Sequence, residues 1–155
     1  MKYVPETLVP MFRKAARLRN EMLESGFTDN GGAIHSAERI LDILGQRLNY
    51  PGLTHINNLS EYPDAEFSVA AHAAYERGER VFIEHVSPMR ELTRQAIGVL
   101  DEGATDEEFT DYVIKHYRLV LLSGEETQHL NRINRSRMRP DRLAEVGIEL
   151  RRPAR

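Results

Sequence analysis

The sequence predicts a predominantly helical α+β fold, with five to six helices and a small two-stranded β element. Apolar residues recur at steps of three and four in several segments, which is typical of amphipathic helices. Two short runs, RVFIEHVSP and RLVLLS, are instead rich in β-branched and other apolar residues, which favours strands. Their positions predict the order strand, helical insertion, strand, helix.

Length and composition predict a single domain over residues 1–155. A 41% hydrophobic share and 29% charged residues are close to the average of one globular domain of this size. We expect a helical scaffold portion at residues 1–80, a ββα-like site portion at 81–139 and a basic C-terminal tail at 140–155.

The scaffold portion is predicted to contain three helices. The first follows the stripe that begins with Leu8 and Phe12 and ends near Gly26, and the second covers about residues 33–48. The third begins at Asp64, a suitable N-cap, and ends at Gly78. The segment 49–63, rich in proline and asparagine, is predicted to be a loop.

The site portion is predicted to contain three further helices beside the two strands. A helix over residues 89–100 follows the first strand, and Thr105 and Glu108 have the spacing of a capping box at the start of the next. After the second strand, a helix runs from Gly124 until Pro140 stops it.

The absence of cysteine restricts the possible chemistry. The chain can form no disulfide and has no thiolate nucleophile or thiolate zinc site. A metal would need His, Asp, Glu or Asn ligands, which favours magnesium, manganese or zinc. No apolar run approaches the length of a membrane span, and residues 1–20 lack a signal-peptide core, so we expect a cytoplasmic protein with no membrane contact.

The net charge of −3 is unevenly distributed along the chain. Residues 128–155 contain eight arginines and three acidic residues, a net charge of +5, whereas the first 127 residues contain 13 basic and 21 acidic residues, a net charge of −8. This asymmetry indicates either an anionic partner or a tail that folds back on an acidic body.

The stretch IEHVSP, residues 83–88, is the first candidate for chemistry. Strand periodicity places Ile83 and His85 on one face and Glu84 and Val86 on the other. A histidine at a strand end can accept a proton from water near neutral pH, and a neighbouring carboxylate can bind a hard cation or orient the imidazole.

EHVSP resembles the first motif of HNH, or ββα-metal, endonucleases, in which an acidic residue precedes a histidine, an aliphatic residue, any residue and a proline. RLVLLSGEETQHLNR is similar to the second half of that motif in phage and bacterial HNH proteins. The resemblance covers about a third of the chain. It implies that Glu84 is a metal ligand and His85 the general base that activates water against a phosphodiester.

The chain departs from the family pattern at two positions. The asparagine that supports the general base falls on Arg118, and the last metal ligand falls on Thr127. A helix shifted by half a turn would bring His129 to the second position, so the resemblance implies a metal site that His129 or Glu126 completes.

Structural roles for the same residues remain open alternatives. His85 can hydrogen-bond a carbonyl, and carboxylates at a helix start, as at Glu125 and Glu126, are stabilised by the helix dipole without any metal. His129 is also placed to pair with Glu125 one turn earlier on the same helix face.

Basic residues around the second motif are candidates for phosphate binding, because guanidinium groups form paired hydrogen bonds with phosphate. One hypothesis is therefore a metal-dependent HNH-like nuclease that holds nucleic acid through this segment. The other is a non-catalytic helical interaction protein, such as a phage or bacterial inhibitor or regulator, that binds a protein or a nucleic acid. The candidate phosphate-binding residues are Arg118, Arg132, Arg135, Arg137 and Arg139.

Overall fold

The computed structural model describes residues 3–134 and 142–151, and it confirms the predominantly helical α+β fold. The predicted order of strand, helical insertion, strand and helix is present. No helix within the described residues is both long and apolar enough to cross a bilayer. The elements are α1 (Pro5–Glu24), α2 (His35–Asn49), α3 (Val69–Glu76), β1 (Phe82–His85), α4 (Met89–Asp101), α5 (Asp106–His116), β2 (Leu119–Leu122), α6 (Gly124–Asn134) and α7 (Arg142–Glu145).

The chain folds into two compact units that alternate along the sequence. Unit 1 comprises residues up to 52 together with 89–117, and unit 2 comprises 53–88 together with the residues from 118 onwards. Unit 1 therefore contains α1, α2, α4 and α5, and unit 2 contains both strands with α3, α6 and α7. Each unit combines segments of the predicted scaffold portion with segments of the predicted site portion.

The core of unit 1 is formed by the apolar stripes of its helices. Phe12 of α1 stacks on Phe109 of α5, with the ring centroids 4.9 Å apart. Gly45 of α2 allows the closest approach, because a Cβ atom there would lie 2.3 Å from the ring of Tyr117. The Tyr117 hydroxyl donates a hydrogen bond to Asp42 at 2.6 Å, and burial raises the pKa of this phenol far above its ordinary value.

The buried carboxylate of Asp29 accepts hydrogen bonds from two arginines of unit 1. Arg19 donates two hydrogen bonds to it, at 2.9 and 2.7 Å, and Arg94 of α4 donates a third at 3.0 Å. The hydrogen bond from Arg19 is the main cause that lowers the pKa of Asp29 to about 2. Asp29 thus connects α1 and α4 through the turn that precedes α2.

Of the two N-caps predicted for α5 and α3, one is confirmed and one is wrong. Thr105 and Glu108 form the predicted capping box at the start of α5. The predicted N-cap Asp64 is wrong, because α3 begins four residues later with Ser68 as its N-cap. Residues 66–68 are instead extended and bond to β2 at Leu121, so pairing with a distant strand outweighs the local helix signal.

The sheet of unit 2 is an antiparallel pair in which Phe82 lies opposite Leu122 and His85 lies opposite Leu119. On the side of β2 that faces away from β1, the backbone of Leu121 accepts a hydrogen bond from Ser68 at 2.9 Å and donates one to Glu66 at 2.8 Å. Leu150 pairs in turn with Ser68. All four residues of β2 are buried, because this strand has neighbours on both sides.

Candidate functional site

The candidate site lies on the β1–β2–α6 part of unit 2. Helix α6 packs through Leu130 against Val120 and Leu122 of β2, which form one buried cluster. Glu84 lies opposite Val120 in the sheet, and cross-strand partners share a face. Glu84 is therefore on the face of the sheet that carries α6.

His85 lies on the other face of β1. Its cross-strand partner is Leu119, and successive residues of a strand point to opposite faces. Both Glu84 and His85 are half-buried. The structure thus separates the two residues that the resemblance pairs as metal ligand and general base, with one on each face of the sheet.

Glu126 is held by contacts at the start of α6. Its carboxylate accepts hydrogen bonds from the backbone N–H of Ser123 at 3.0 Å and from the hydroxyl of Ser68 at 2.5 Å. The Ser123 hydroxyl accepts a bond from the Glu126 N–H at 3.3 Å, which completes a capping box. These contacts tie the start of α6 to the start of α3.

His129 lies one turn after Glu125 on α6 and is exposed. It lines a cavity of about 390 Å³ together with Arg132 and with residues 146–148 from the segment after α7. The cavity wall also includes Glu125, Glu126 and Gln128, so both charge signs are present. The cavity is open to solvent, and its wall combines these charged side chains with apolar ones.

The predicted metal ligands do not come together as one metal centre. Across residues 3–134 and 142–151, no three His, Asp or Glu side chains form a group that could hold a metal ion. A protein metal site commonly uses three or more such ligands. Glu84, Glu126 and His129 do not form such a group among the described residues.

Arg118, which stands where the HNH resemblance would place an asparagine, is engaged in an ion pair. Its guanidinium donates two hydrogen bonds to the carboxylate of Glu66, at 2.7 and 2.5 Å. This bidentate geometry fixes the side chain alongside the extended segment that precedes α3. The contact uses the donors that a bound phosphate would need.

Arg132 differs from Arg118 in its ion pairing. It is exposed in the last turn of α6, and no carboxylate in the described part of the chain pairs with it. The other predicted phosphate-binding residues, Arg135, Arg137 and Arg139, lie outside the described residues.

The chain matches no protein-family model, and no curated protein or solved structure is significantly similar to it.

Sequence reasoning missed two residues that shape the site. Ser68 is fully buried, caps α3 and bonds Glu126, whereas Glu66 neutralises Arg118. Neither had a local signal, because each partner lies more than fifty residues away. The hydroxyl of Thr127, where the HNH resemblance would place a metal ligand, is buried without a hydrogen-bond partner among the described residues.

Proposed function

We propose that unit 2 is a non-catalytic module that binds the phosphate backbone of nucleic acid through the C-terminal half of α6 and the arginine-rich sequence that follows. The exposed guanidinium of Arg132, which pairs with no carboxylate in the described part of the chain, is the observation that carries this proposal. It begins a stretch in which arginine recurs at 135, 137, 139 and 142, with Asp141 as the only acidic residue.

The chemistry of this segment suits an anionic partner such as a phosphate backbone. Arginine donates pairs of hydrogen bonds to phosphate oxygens and stays charged at any physiological pH. No aromatic residue occurs between Asn131 and Arg142, so stacking on unpaired bases is not expected. The proposed contacts are therefore with the backbone and independent of sequence.

The contrast between Arg118 and Arg132 supports binding without hydrolysis. The position where the family supports its general base is occupied by an arginine bonded to Glu66. The carboxylate of Glu126 is bonded to Ser68 and Ser123. Both groups stabilise the fold of unit 2, and neither is needed for electrostatic attraction of a polyanion by Arg132.

The test is binding of a labelled DNA duplex and a labelled RNA hairpin, measured by fluorescence anisotropy at several salt concentrations in EDTA. The variant Arg132→Glu/Arg135→Glu/Arg139→Glu should lose most of the affinity, and the slope of log affinity against log salt should fall by about three. A matched control with the same change in charge is Lys14→Glu/Arg17→Glu/Arg39→Glu, whose three parent side chains are exposed on unit 1.

An affinity lost in the first variant and retained in the control supports the proposal. Equal losses in both variants would mean that only net charge matters and would overturn it. No binding by the unmodified protein would also overturn it and would direct attention to a protein partner.

A second candidate function is metal-dependent hydrolysis of a phosphodiester, with His85 as base and Glu84 as metal ligand. The placement of Glu84 on the α6 face of an antiparallel strand pair favours it. Plasmid and RNA cleavage with Mg²⁺, Mn²⁺ and Zn²⁺, compared between the unmodified protein and His85→Ala, tests it. Cleavage that His85→Ala abolishes would establish this candidate, and no cleavage with any of the three metals would exclude it under these conditions.

A further inference from the structure

Strand β1 is an open edge of the sheet within the described part of the chain. Its one strand partner there is β2, whereas β2 also bonds to residues 66–68 on its far side. Val86 donates to the carbonyl of Arg118 at 2.9 Å, which sets the alternation of bonded pairs along the ladder. By that alternation, Phe82 and Glu84 direct their backbone groups to β2.

Val81 and Ile83 direct their backbone groups the other way, towards the open edge. The bonds of Leu121 confirm this alternation, because its N–H and carbonyl bond to Glu66 and Ser68 and not to its cross-strand neighbour Ile83. An unpaired strand edge presents donors and acceptors that can pair with another strand. Val81, which directly precedes β1, and Ile83 within β1 therefore offer two backbone donors and two backbone acceptors at this edge.

The sequence along this edge, Arg80-Val81-Phe82-Ile83-Glu84, is complementary to its own reverse. In an antiparallel pairing centred on Phe82, each Val81 lies opposite the Ile83 of a second copy, and the two Phe82 rings lie opposite each other. Each Arg80 then lies opposite a Glu84, which places opposite charges together at both ends.

The side chains that would meet already share a face in the single chain. The Arg80 guanidinium lies 4.8 Å from the centroid of the Phe82 ring, and Phe82 and Glu84 are alternate residues of β1. Arg80 pairs with no carboxylate among the described residues. Pairing centred on Ile83 instead would set Glu84 against Phe82 and would lose both ion pairs.

We infer that the chain forms a two-fold symmetric dimer in which β1 of one copy pairs with β1 of another, so that the two sheets become one continuous sheet. The self-complementary charges select a second copy of this chain as the occupant of the edge. A two-fold axis through Phe82 makes the interface isologous, since the same residues contribute from both sides. This inference is independent of nucleic-acid binding.

Cysteine cross-linking tests the register directly, because the chain contains no cysteine of its own. In the proposed register Phe82 faces its own copy in a non-hydrogen-bonded pair, whose Cα separation of about 4.5 Å is compatible with a disulfide. A Phe82→Cys variant should form a covalent dimer under mild oxidation. The control Val69→Cys, at a half-exposed position on α3, should not. Failure of Phe82→Cys to cross-link, or equal cross-linking of both variants, would overturn the inference.

Sedimentation equilibrium of the full chain tests the charges. Arg80→Glu places like charges together at both ends of the interface, and we expect the dimer dissociation constant to rise about tenfold. Arg80→Glu/Glu84→Arg should restore it, whereas Arg77→Glu, at an exposed neighbour, should leave it unchanged. A monomeric wild-type protein, or a dimer that Arg80→Glu leaves intact, would overturn the inference. Circular dichroism of each variant shows whether it is folded. If the double variant does not fold, the cross-linking experiment alone decides whether the dimer forms.

Discussion

Asp29 in unit 1 and Arg132 in unit 2 show two different uses of charge in one chain. Asp29 is buried and accepts hydrogen bonds from two arginines, whereas Arg132 is exposed with no carboxylate partner in the described residues. Unpaired charge is strongly disfavoured in a protein interior but tolerated at the surface. Asp29 therefore joins α1 to α4 within unit 1, whereas the guanidinium of Arg132 is exposed to solvent, where a partner can reach it.

The same contrast exists within unit 2. Arg118 forms a bidentate pair with Glu66, and Arg132 does not pair with a described carboxylate. A basic residue is therefore a binding candidate only where the fold leaves its guanidinium unmatched. Variants that remove matched charges should lower stability, and variants that remove unmatched charges should lower affinity.

The largest expected effect is on unit 1. Asp29→Asn leaves Arg19 and Arg94 beside a neutral amide in a largely buried site, and we expect the free energy of unfolding to fall by about 3 kcal/mol. Urea denaturation at pH 7 measures this. The control Asp106→Asn removes the exposed partner of Arg13, and its effect should stay below about 1 kcal/mol. Equal losses of unfolding free energy in the two variants would show that burial of an ion pair does not determine its contribution to stability.

The same variant makes a prediction about pH. Folding lowers the pKa of Asp29 from 3.8 to about 2, so its contribution is complete above pH 3.8 and is lost as the pH falls through about 2. The stability difference between the unmodified protein and Asp29→Asn should therefore shrink between pH 4 and pH 2. A difference that stays constant over this range would show that the carboxylate charge is not the cause.

A smaller effect is expected at the closest helix contact of unit 1. Gly45→Ala places a methyl group against the ring of Tyr117, and we expect a loss of about 2 kcal/mol although alanine favours helices. Gly98→Ala in α4 is the matched control, because its Cβ would meet nothing within 4 Å. Thermal unfolding should show that the control is stabilised by about 0.5 kcal/mol or more.

Glu126 and Glu125 allow a comparison of a hydrogen-bonded and an exposed carboxylate inside the candidate site. Glu126→Ala removes the capping box of α6 and the bond from Ser68, so we expect a loss of about 1 to 2 kcal/mol. The adjacent, exposed Glu125→Ala should change stability by less than about 0.5 kcal/mol. Unfolding with and without Mn²⁺ measures both. A loss for Glu126→Ala that appears only when Mn²⁺ is present would indicate a metal ligand instead.

A smaller loss of stability than for Glu126→Ala is expected for Arg118→Gln, because partly exposed ion pairs contribute less than about 1 kcal/mol. Its affinity for a DNA duplex should equal that of the unmodified protein, whereas Arg132→Gln should lower the affinity and leave stability unchanged. Anisotropy and urea denaturation on the same two samples test this. A larger loss of affinity for Arg118→Gln would reverse the roles assigned to the two arginines.

Much of the fold was predictable because its signals are local. The capping box of α5 needs only the four residues from Thr105 to Glu108, and helical stripes need only steps of three and four. The start of α3 was not predictable in this way. Residues 66–68 bond to Leu121, and such long-range pairing leaves no signature in the segment itself. The approach of Gly45 to Tyr117 is hidden for the same reason.

The candidate site was less predictable than the fold. Arg118 and Arg132 are the same residue type, and their difference depends on Glu66, which is 52 residues from Arg118. The role of Glu126 was partly readable, since Ser123 and Glu126 have capping-box spacing, but its bond to Ser68 was not. Whether Glu84 and His85 share a catalytic role stays a prediction.

The most direct test of the central claim is nucleic-acid affinity, measured by anisotropy in EDTA, for two variants that remain folded at the measuring temperature. Arg132→Glu/Arg135→Glu/Arg139→Glu reverses three charges of the arginine-rich segment, and Asp29→Asn removes a charge that two arginines match. We expect the first variant to lose most of its affinity and the second to bind like the unmodified protein. Retained affinity in the first variant, or an equal loss in both, would contradict it.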